Sequence, residues 1–290
     1  MLRFLLATLP FVALANIAHA QSPATFRVVT YNIRFDNPAD GPNVWTARRE
    51  AMVNYLRETK PDLVGLQEVL PNQRDYLAGE LPEFAVYSVG RDDGEKGEAT
   101  PIFYRKDRFE LVDKGSFWLS DAPNTPGSKG WDAALPRVAS WVKLRDRRAE
   151  KSLLFANTHF DHRGPMARLE SAKLLVRQMD ELDGEGTDTL SVVLTGDFNC
   201  TARQAPYAVL VGQQPEVAAE RKLLDAQHIS KTPHTGGDST SSGFRELRPG
   251  AKIDFIFVRG LTVSSHAIDD PRASGRFVSD HQPVRADVAW

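Results

Sequence analysis

Leu190-Ser191-Val192-Val193-Leu194-Thr195-Gly196-Asp197-Phe198-Asn199 opens as an apolar run and closes on a carboxylate and an amide. Leu190 to Thr195 reads as a buried strand, since aliphatic and β-branched side chains follow one another with no breaker between them. A charge at the end of such a strand is costly if it is buried without a partner. Taken alone, Asp197-Phe198-Asn199 passes for a turn, because Asp and Asn favour turns. The same pattern recurs four more times, in Val28 to Asn32, Leu63 to Glu68, Leu154 to Asp161 (with His159) and Lys252 to Phe257 (with Asp254). Ser279-Asp280-His281 opens a last strand in the same way. Glu68 alone is an ordinary loop carboxylate, and Asn32 an ordinary strand cap. Asp254, between Ile253 and Phe255, is harder to place without a partner. Together these acids, amides and imidazoles become inexpensive if they converge on a cation and share its charge.

Outward from these strands the chain alternates in type. Phe26 to Asn32, Asp62 to Gln67, Phe84 to Val89, Pro101 to Tyr104 and Phe109 to Phe117 read as strands. Val138 to Leu144 and Leu153 to His159 flank a charged turn and read as a hairpin, and Ile253 to Val258 and Val284 to Val288 complete the strands. Trp45 to Lys60 reads as a helix stopped by Pro61, and Pro71 to Glu80 and Gln204 to Val211 as shorter helices. Pro165 starts a helix reaching Leu182, with Leu169, Ala172, Leu175, Met179 and Leu182 on one face. Residues 120–136 and 231–250 are loops dense in Pro, Gly and Ser. With no repeat and no linker, this order predicts one α/β sandwich in which helices cover sheets.

Composition narrows the class. The 290 residues hold 36 Lys+Arg, 38 Asp+Glu and one cysteine, with 41% hydrophobic and 26% charged. That excludes collagen, low-complexity disorder and a disulfide scaffold. Met1-Leu2-Arg3, the apolar run from Phe4 to Ala15 and Ala18-His19-Ala20 form the pattern of a secretory signal cut before Gln21, too short for a spanning helix. The expected mature protein, residues 21–290, is one exported catalytic domain, periplasmic or secreted, monomeric and free of the membrane. Removing Arg3, the leader's one charged residue, leaves 35 basic and 38 acidic residues and a formal charge of −3. A balance this acidic excludes a broad nucleic-acid surface. Cys200, alone, reads as a small buried hydrophobe.

The Gly196-Asp197-Phe198-Asn199 and Ser279-Asp280-His281 motifs, as a pair, resemble the endonuclease/exonuclease/phosphatase superfamily. Tyr31-Asn32-Ile33-Arg34-Phe35-Asp36-Asn37-Pro38, Asn157-Thr158-His159-Phe160-Asp161-His162-Arg163-Gly164 and Lys252 to Phe257 are similar to exported bacterial members related to its deadenylase-like branch. The resemblance implies a deoxyribonuclease I-like four-layer α/β/β/α sandwich of two mixed sheets, with the site at one edge. It implies Mg²⁺, with Mn²⁺ as a substitute, near Glu68, Asn32 and Asp280. It implies that Asp197 positions or deprotonates the attacking water, and that Asn199 donates to that water or to phosphate. His281, oriented by Asp254, and His159 would contact the phosphate. Asp161, Arg163, Tyr104, Trp131 and Arg137 are candidates for substrate contact; a loop salt bridge for the first two and a buried anchor for Trp131 are the plain alternatives.

The expected activity is metal-assisted in-line hydrolysis of a phosphodiester or phosphomonoester. Nucleic acid, a phosphorylated sugar or inositol, and a lipid head group compete as substrates. The alternatives are a nuclease on short single strands and a non-catalytic phosphate-binding module; the latter predicts erosion of Glu68, Asp197 or His281, and all three are present.

Overall fold

The alternation of β1 (Thr25–Asn32) feeds two cores at once. Phe26 and Val28 face one apolar cluster, while Val29, Tyr31 and Ile33 face another. Only a strand sandwiched between two layers buries both of its faces. The computed structural model describes residues 24–184, 190–213 and 221–290. The leader reading of residues 1–20 lies outside the described residues.

The remaining strands are β2 (Leu63–Gln67), β3 (Phe84–Tyr87), β4 (Ile102–Arg105), β5 (Phe109–Trp118), β6 (Val138–Asp146), β7 (Lys151–His159), β8 (Ser191–Asp197), β9 (Leu224–Asp225), β10 (Asp254–Arg259), β11 (Thr262–Ile268), β12 (Arg272–Ala273), β13 (Arg276–Phe277) and β14 (Val284–Ala289). One six-stranded sheet runs β11-β14-β1-β2-β4-β3 and the other β5-β6-β7-β8-β10-β9; both are mixed. Helices α1 (Trp45–Thr59) and α2 (Pro71–Glu80) cover the first sheet, with Met52, Leu56 and Leu77 packed against Val29, Tyr31 and Leu66. Helices α3 (Pro165–Asp183) and α4 (Ala205–Leu210) cover the second, with Ala172, Leu175, Met179 and Tyr207 against Leu154, Leu194 and Phe257. This is the expected four-layer α/β/β/α sandwich.

Helix and strand ends match the expectation where breakers mark them. α1 ends at Thr59, one residue short of the expected Lys60, which caps it in the left-handed region at φ 48° just ahead of Pro61. β6 and β7 extend two residues further into their charged turn than expected, since Arg145 and Asp146 pair with Ser152 and Lys151. β11 was hidden because it is a polar edge strand with one neighbour, β14. Cys200 is buried in the α3-side core, and burial pushes its thiol up to about 12, so it acts as a hydrophobe.

Strand direction places the site. β1 and β2 are parallel, as are β7 and β8, while β10 runs antiparallel to β8 and β14 antiparallel to β1. The C-terminal ends of β1, β2, β7 and β8 share one rim with the starts of β10 and β14. Along the face between the sheets the side chains change from apolar to polar toward that rim: Phe26, Val28, Thr30, Asn32 on β1, and Val193, Thr195, Asp197 on β8.

Candidate active site

Register fixes the first contacts. Asp197 is opposite His159 on β7 and opposite Asp254 on β10. Side chains opposite one another share a face of the sheet, so two carboxylates meet there, and like charges in that position repel. His281, just ahead of β14, answers this from the other sheet: its Nδ1 lies 2.9 Å from Asp254 Oδ2 and its Nε2 3.7 Å from Asp197 Oδ2. All three are buried. Burial, then repulsion by Asp254, raises the Asp197 carboxyl to about 7. Burial alone would lower the His281 pKa, but the Asp254 and Asp197 carboxylates outweigh it and hold the imidazole well above its ordinary value. His281 is thus an imidazolium at neutral pH, donating Nδ1–H to Asp254 and presenting Nε2–H at Asp197.

His159 has the opposite character. Burial and the nearby Arg137 and Arg91 guanidiniums push its pKa well below the ordinary value, so it is neutral. Asn199 Nδ2 donates to His159 Nε2 at 3.0 Å, which leaves the ring proton on Nδ1. The other Asn199 amide hydrogen goes to Phe160 O at 3.0 Å. Both hydrogens have protein partners, so Asn199 holds the His159 ring against β7. Asn199 sits at φ 46°, and its backbone N–H donates to Asp197 Oδ1 at 2.9 Å.

On the other sheet, Glu68 takes a left-handed backbone at φ 59°, an uncommon state for a long side chain and a frequent mark of a functional position. The turn brings its carboxylate back over the rim. Glu68 Oε2 and Asp280 Oδ2 lie 3.9 and 4.0 Å from one atom, Arg34 Nη1. Two acids thus aim at a single point already marked by positive charge. Burial raises Asp280, with repulsion from Glu68 adding to it and His281 and Arg34 opposing it. This all-oxygen pair suits a hard divalent cation. The Asp197, Asp254 and His281 donor atoms also lie within 4.8 Å of one another, a second group whose atoms could face an ion. Asn32 is expected from the resemblance beside the metal, as a ligand or through water. Its nitrogen, not its oxygen, faces the acids: Nδ2 donates to Glu68 Oε1 at 3.1 Å and Asp197 Oδ2 at 3.0 Å, and Oδ1 accepts Arg34 N–H at 3.0 Å. Asn32 therefore ties the two sheets' carboxylates together.

Beneath this rim lies a polar layer whose role the sequence did not reveal. Gln67 Nε2 donates to Asn157 Oδ1 at 2.7 Å and Thr30 Oγ1 at 3.0 Å, and Thr195 Oγ1 donates to the same Asn157 oxygen at 3.0 Å. Asn157 Nδ2 returns to Leu66 O at 2.8 Å and Pro101 O at 3.1 Å on the facing sheet. The sheets approach so closely here that a Cβ on Gly65 would collide with Thr195 Oγ1 and Asn157 Oδ1. Arg48, buried, adds a second brace by donating to the carbonyls of Ile33, Arg34 and Asn43.

A cavity of about 380 Å³ opens over the rim, lined by Arg34, Phe35 and Glu68, by His159, Asp197, Asn199 and His281, and by Arg91, Glu98, Leu135, Arg137 and His162. Arg137 stands where the sequence placed it. Four other candidates do not reach the cavity. Tyr104 pairs with Leu63 at the start of β2, the end away from the rim, because β4 runs antiparallel to β2. Trp131 packs against the α3-side core. Asp161 turns inward: burial opposes its ionisation, yet N–H donors of Gly164, Arg163 and Ala134 hold it down to about 2. That turn leaves Arg163 exposed and outside the lining. Arg91 and Glu98 were missed; they flank a polar Gly-rich turn that carries no periodic signal.

Known proteins share this architecture. An endonuclease/exonuclease/phosphatase from Bacteroides vulgatus is 39% identical, with 91% of this chain and 98% of that one covered and a TM-score of 0.82. The Bacteroides thetaiotaomicron mannosyl-6-phosphatase Bt3783 is 34% identical, covering 91% and 100%, with a TM-score of 0.83. Nocturnin from Xenopus laevis is 25% identical over 253 residues, 78% of this chain and 61% of that protein, in keeping with the deadenylase-like branch. The chain spans between 26% and 62% of the length of the curated relatives it matches. The endonuclease/exonuclease/phosphatase family model matches residues 29–281, and the chain belongs to that family.

Proposed function

We propose that this chain is an exported, Mg²⁺-dependent phosphomonoesterase whose substrate is a compact phosphate ester. The observation that carries this is the convergence at one rim of an acid pair aimed at a single cationic point, an imidazolium and a carboxyl held near neutrality. Glu68 and Asp280 would hold the cation, which when bound supplies neutralisation of the phosphate charge. Asp197, at about 7, is a competent proton acceptor for water at physiological pH. His281 and the Nδ1–H of His159 are donors for phosphoryl oxygens, and Asp254 keeps His281 charged as the reaction proceeds.

A small substrate is favoured by the cavity, whose volume of about 380 Å³ is near the lower end for ligand sites. The mannosyl-6-phosphatase, similar along its whole length, supports a monoester. The test is phosphate release from a panel of monoesters and diesters, with Mg²⁺, with Mn²⁺ and with chelator. Monoester turnover that needs the cation is expected; turnover of diesters alone, or none on either class, contradicts it. Among the described residues no helix is long and apolar enough to cross a membrane. Export rests on residues 1–20, and a recovered protein beginning at Gln21 outside the cytoplasm is the expected result.

A further inference from the structure

Another part of the cavity wall holds two arginines that the phosphate chemistry does not use. Arg91 and Arg137 are both largely buried, and they line the cavity with Glu98 and His162. Each is fixed by its own acid. Arg91 forks onto Glu98 with two bonds of 2.8 Å, and Arg137 Nε reaches Asp161 Oδ2 at 3.4 Å while its Nη2 donates to His162 Nδ1 at 2.9 Å. His162, accepting at Nδ1, carries its proton on Nε2 and lines the same wall. Arg137 Nη1 is buried and has no hydrogen-bond partner, a vacancy that a native site normally fills.

We infer that Arg91, Glu98, Arg137 and His162 form a subsite for the hydroxyls of the leaving group, and that the substrate is therefore a phosphorylated polyol such as a hexose or inositol phosphate. This deepens, and rests on, the phosphomonoesterase reading. Charge decides between a hydroxyl and a second anion. Arg91 is neutralised by Glu98 on the wall and Arg137 by Asp161 behind it, so little charge is left to offer an anion. The wall instead alternates donors (the Arg137 guanidinium, His162 Nε2) with an acceptor carboxylate (Glu98). A hydroxyl both donates and accepts, and matches such a wall; a phosphate only accepts. A nucleobase fits poorly, because Phe35, the one Phe, Tyr or Trp lining the cavity, already has the Arg34 guanidinium over it at 4.4 Å.

The test compares two esters. 4-Nitrophenyl phosphate has no hydroxyl for the subsite to read; the other ester is the best of a panel of hexose and inositol phosphates. Wild-type turnover of 4-nitrophenyl phosphate reports the parent reading by itself. Glu98→Gln and Arg137→Lys are expected to lower the ratio of kcat/KM for the polyol phosphate over that for 4-nitrophenyl phosphate by about tenfold or more, mostly through KM, as expected when polar groups matched to a substrate hydroxyl are altered. An equal loss on both esters would mean that the wall holds the transferred phosphate. An unchanged ratio in both variants, with melting temperatures within a few degrees of wild type, would mean that the pairs are only structural. Either result overturns the subsite while leaving the parent activity standing.

Discussion

The sandwich buries charge at both ends of its inner face, in two different ways. At the end away from the cavity, Arg108 donates to Asp146 Oδ2 at 2.9 Å, to Asp62 Oδ1 at 3.2 Å and to Thr25 O at 2.6 Å; Trp290 Nε1 donates to the same Asp146 oxygen at 3.1 Å, and the Arg148 N–H to Asp146 Oδ1 at 2.9 Å. Opposite charges meet, and every member has a partner. At the rim, Asp197 faces Asp254, and Asp254 Oδ1 is buried without a hydrogen bond. One end is built for stability. The other keeps its charges in conflict, which is what holds a carboxyl near neutral pH and an imidazole protonated.

This contrast breaks most sharply at Asp197. Asp197→Asn removes the base and the like-charge pair together, so kcat for a phosphomonoester should fall by about 10²-fold or more while the melting temperature at pH 8 holds or rises. A fall in both, in activity and melting side by side, would make Asp197 merely structural. At the opposite end, Arg108→Met leaves Asp146 buried without its main partner. A loss of about 3 kcal/mol or more is expected in chemical denaturation, with kcat within about threefold of wild type. Asn157→Ala tests the layer between. It removes the bridge from Thr195 on its own sheet to Gln67, Leu66 and Pro101 on the facing side, and should cost about 2 kcal/mol in stability and lower kcat by roughly tenfold, a mixed result that neither end gives.

The pH dependence of stability sharpens the comparison further, with smaller effects. Asp197 is raised, so the folded protein keeps a proton that the unfolded chain releases, and stability falls as pH climbs from the ordinary carboxylate range toward about 7. His281, also raised, adds in the same direction: its contribution is complete below the ordinary imidazole range and is lost as pH rises through its folded value. At Asp146 burial opposes ionisation, but Arg108 and the Arg148 N–H outweigh it and lower its pKa. That stability is present above the ordinary carboxylate range and is lost as pH falls through the folded value. Melting curves from pH 3 to 8 in chelator should show both limbs, with Asp197→Asn flattening only the neutral one and Asp146→Asn only the acid one.

Much of this was legible in the sequence because strand ends are legible. A polar residue closing an apolar run is conspicuous, and parallel neighbours must bring such ends to one rim. Strand direction was less visible. Tyr104 also ends a strand, but β4 runs the other way and carries it to the opposite end. Amide orientation was invisible: Asn32 and Asn199 are at the site, yet each spends its nitrogen on a neighbouring side chain. Arg91 and Glu98 lie on an irregular turn held by bridges from Gly90 to Gly94 and Ala99, a long-range arrangement with no local period to betray it. Asn157 stood inside a recognised motif, but only the approach of the second sheet gives it work.

The convergence of acids on one cationic point is tested most directly by metal dependence. Strip the protein with chelator, then titrate Mg²⁺ back while following phosphate release, with wild type beside Glu68→Gln. No turnover in chelator is expected, with recovery in the wild type and at least about tenfold more Mg²⁺ needed by the variant. Full turnover in chelator, or identical titrations for the two proteins, would contradict the account.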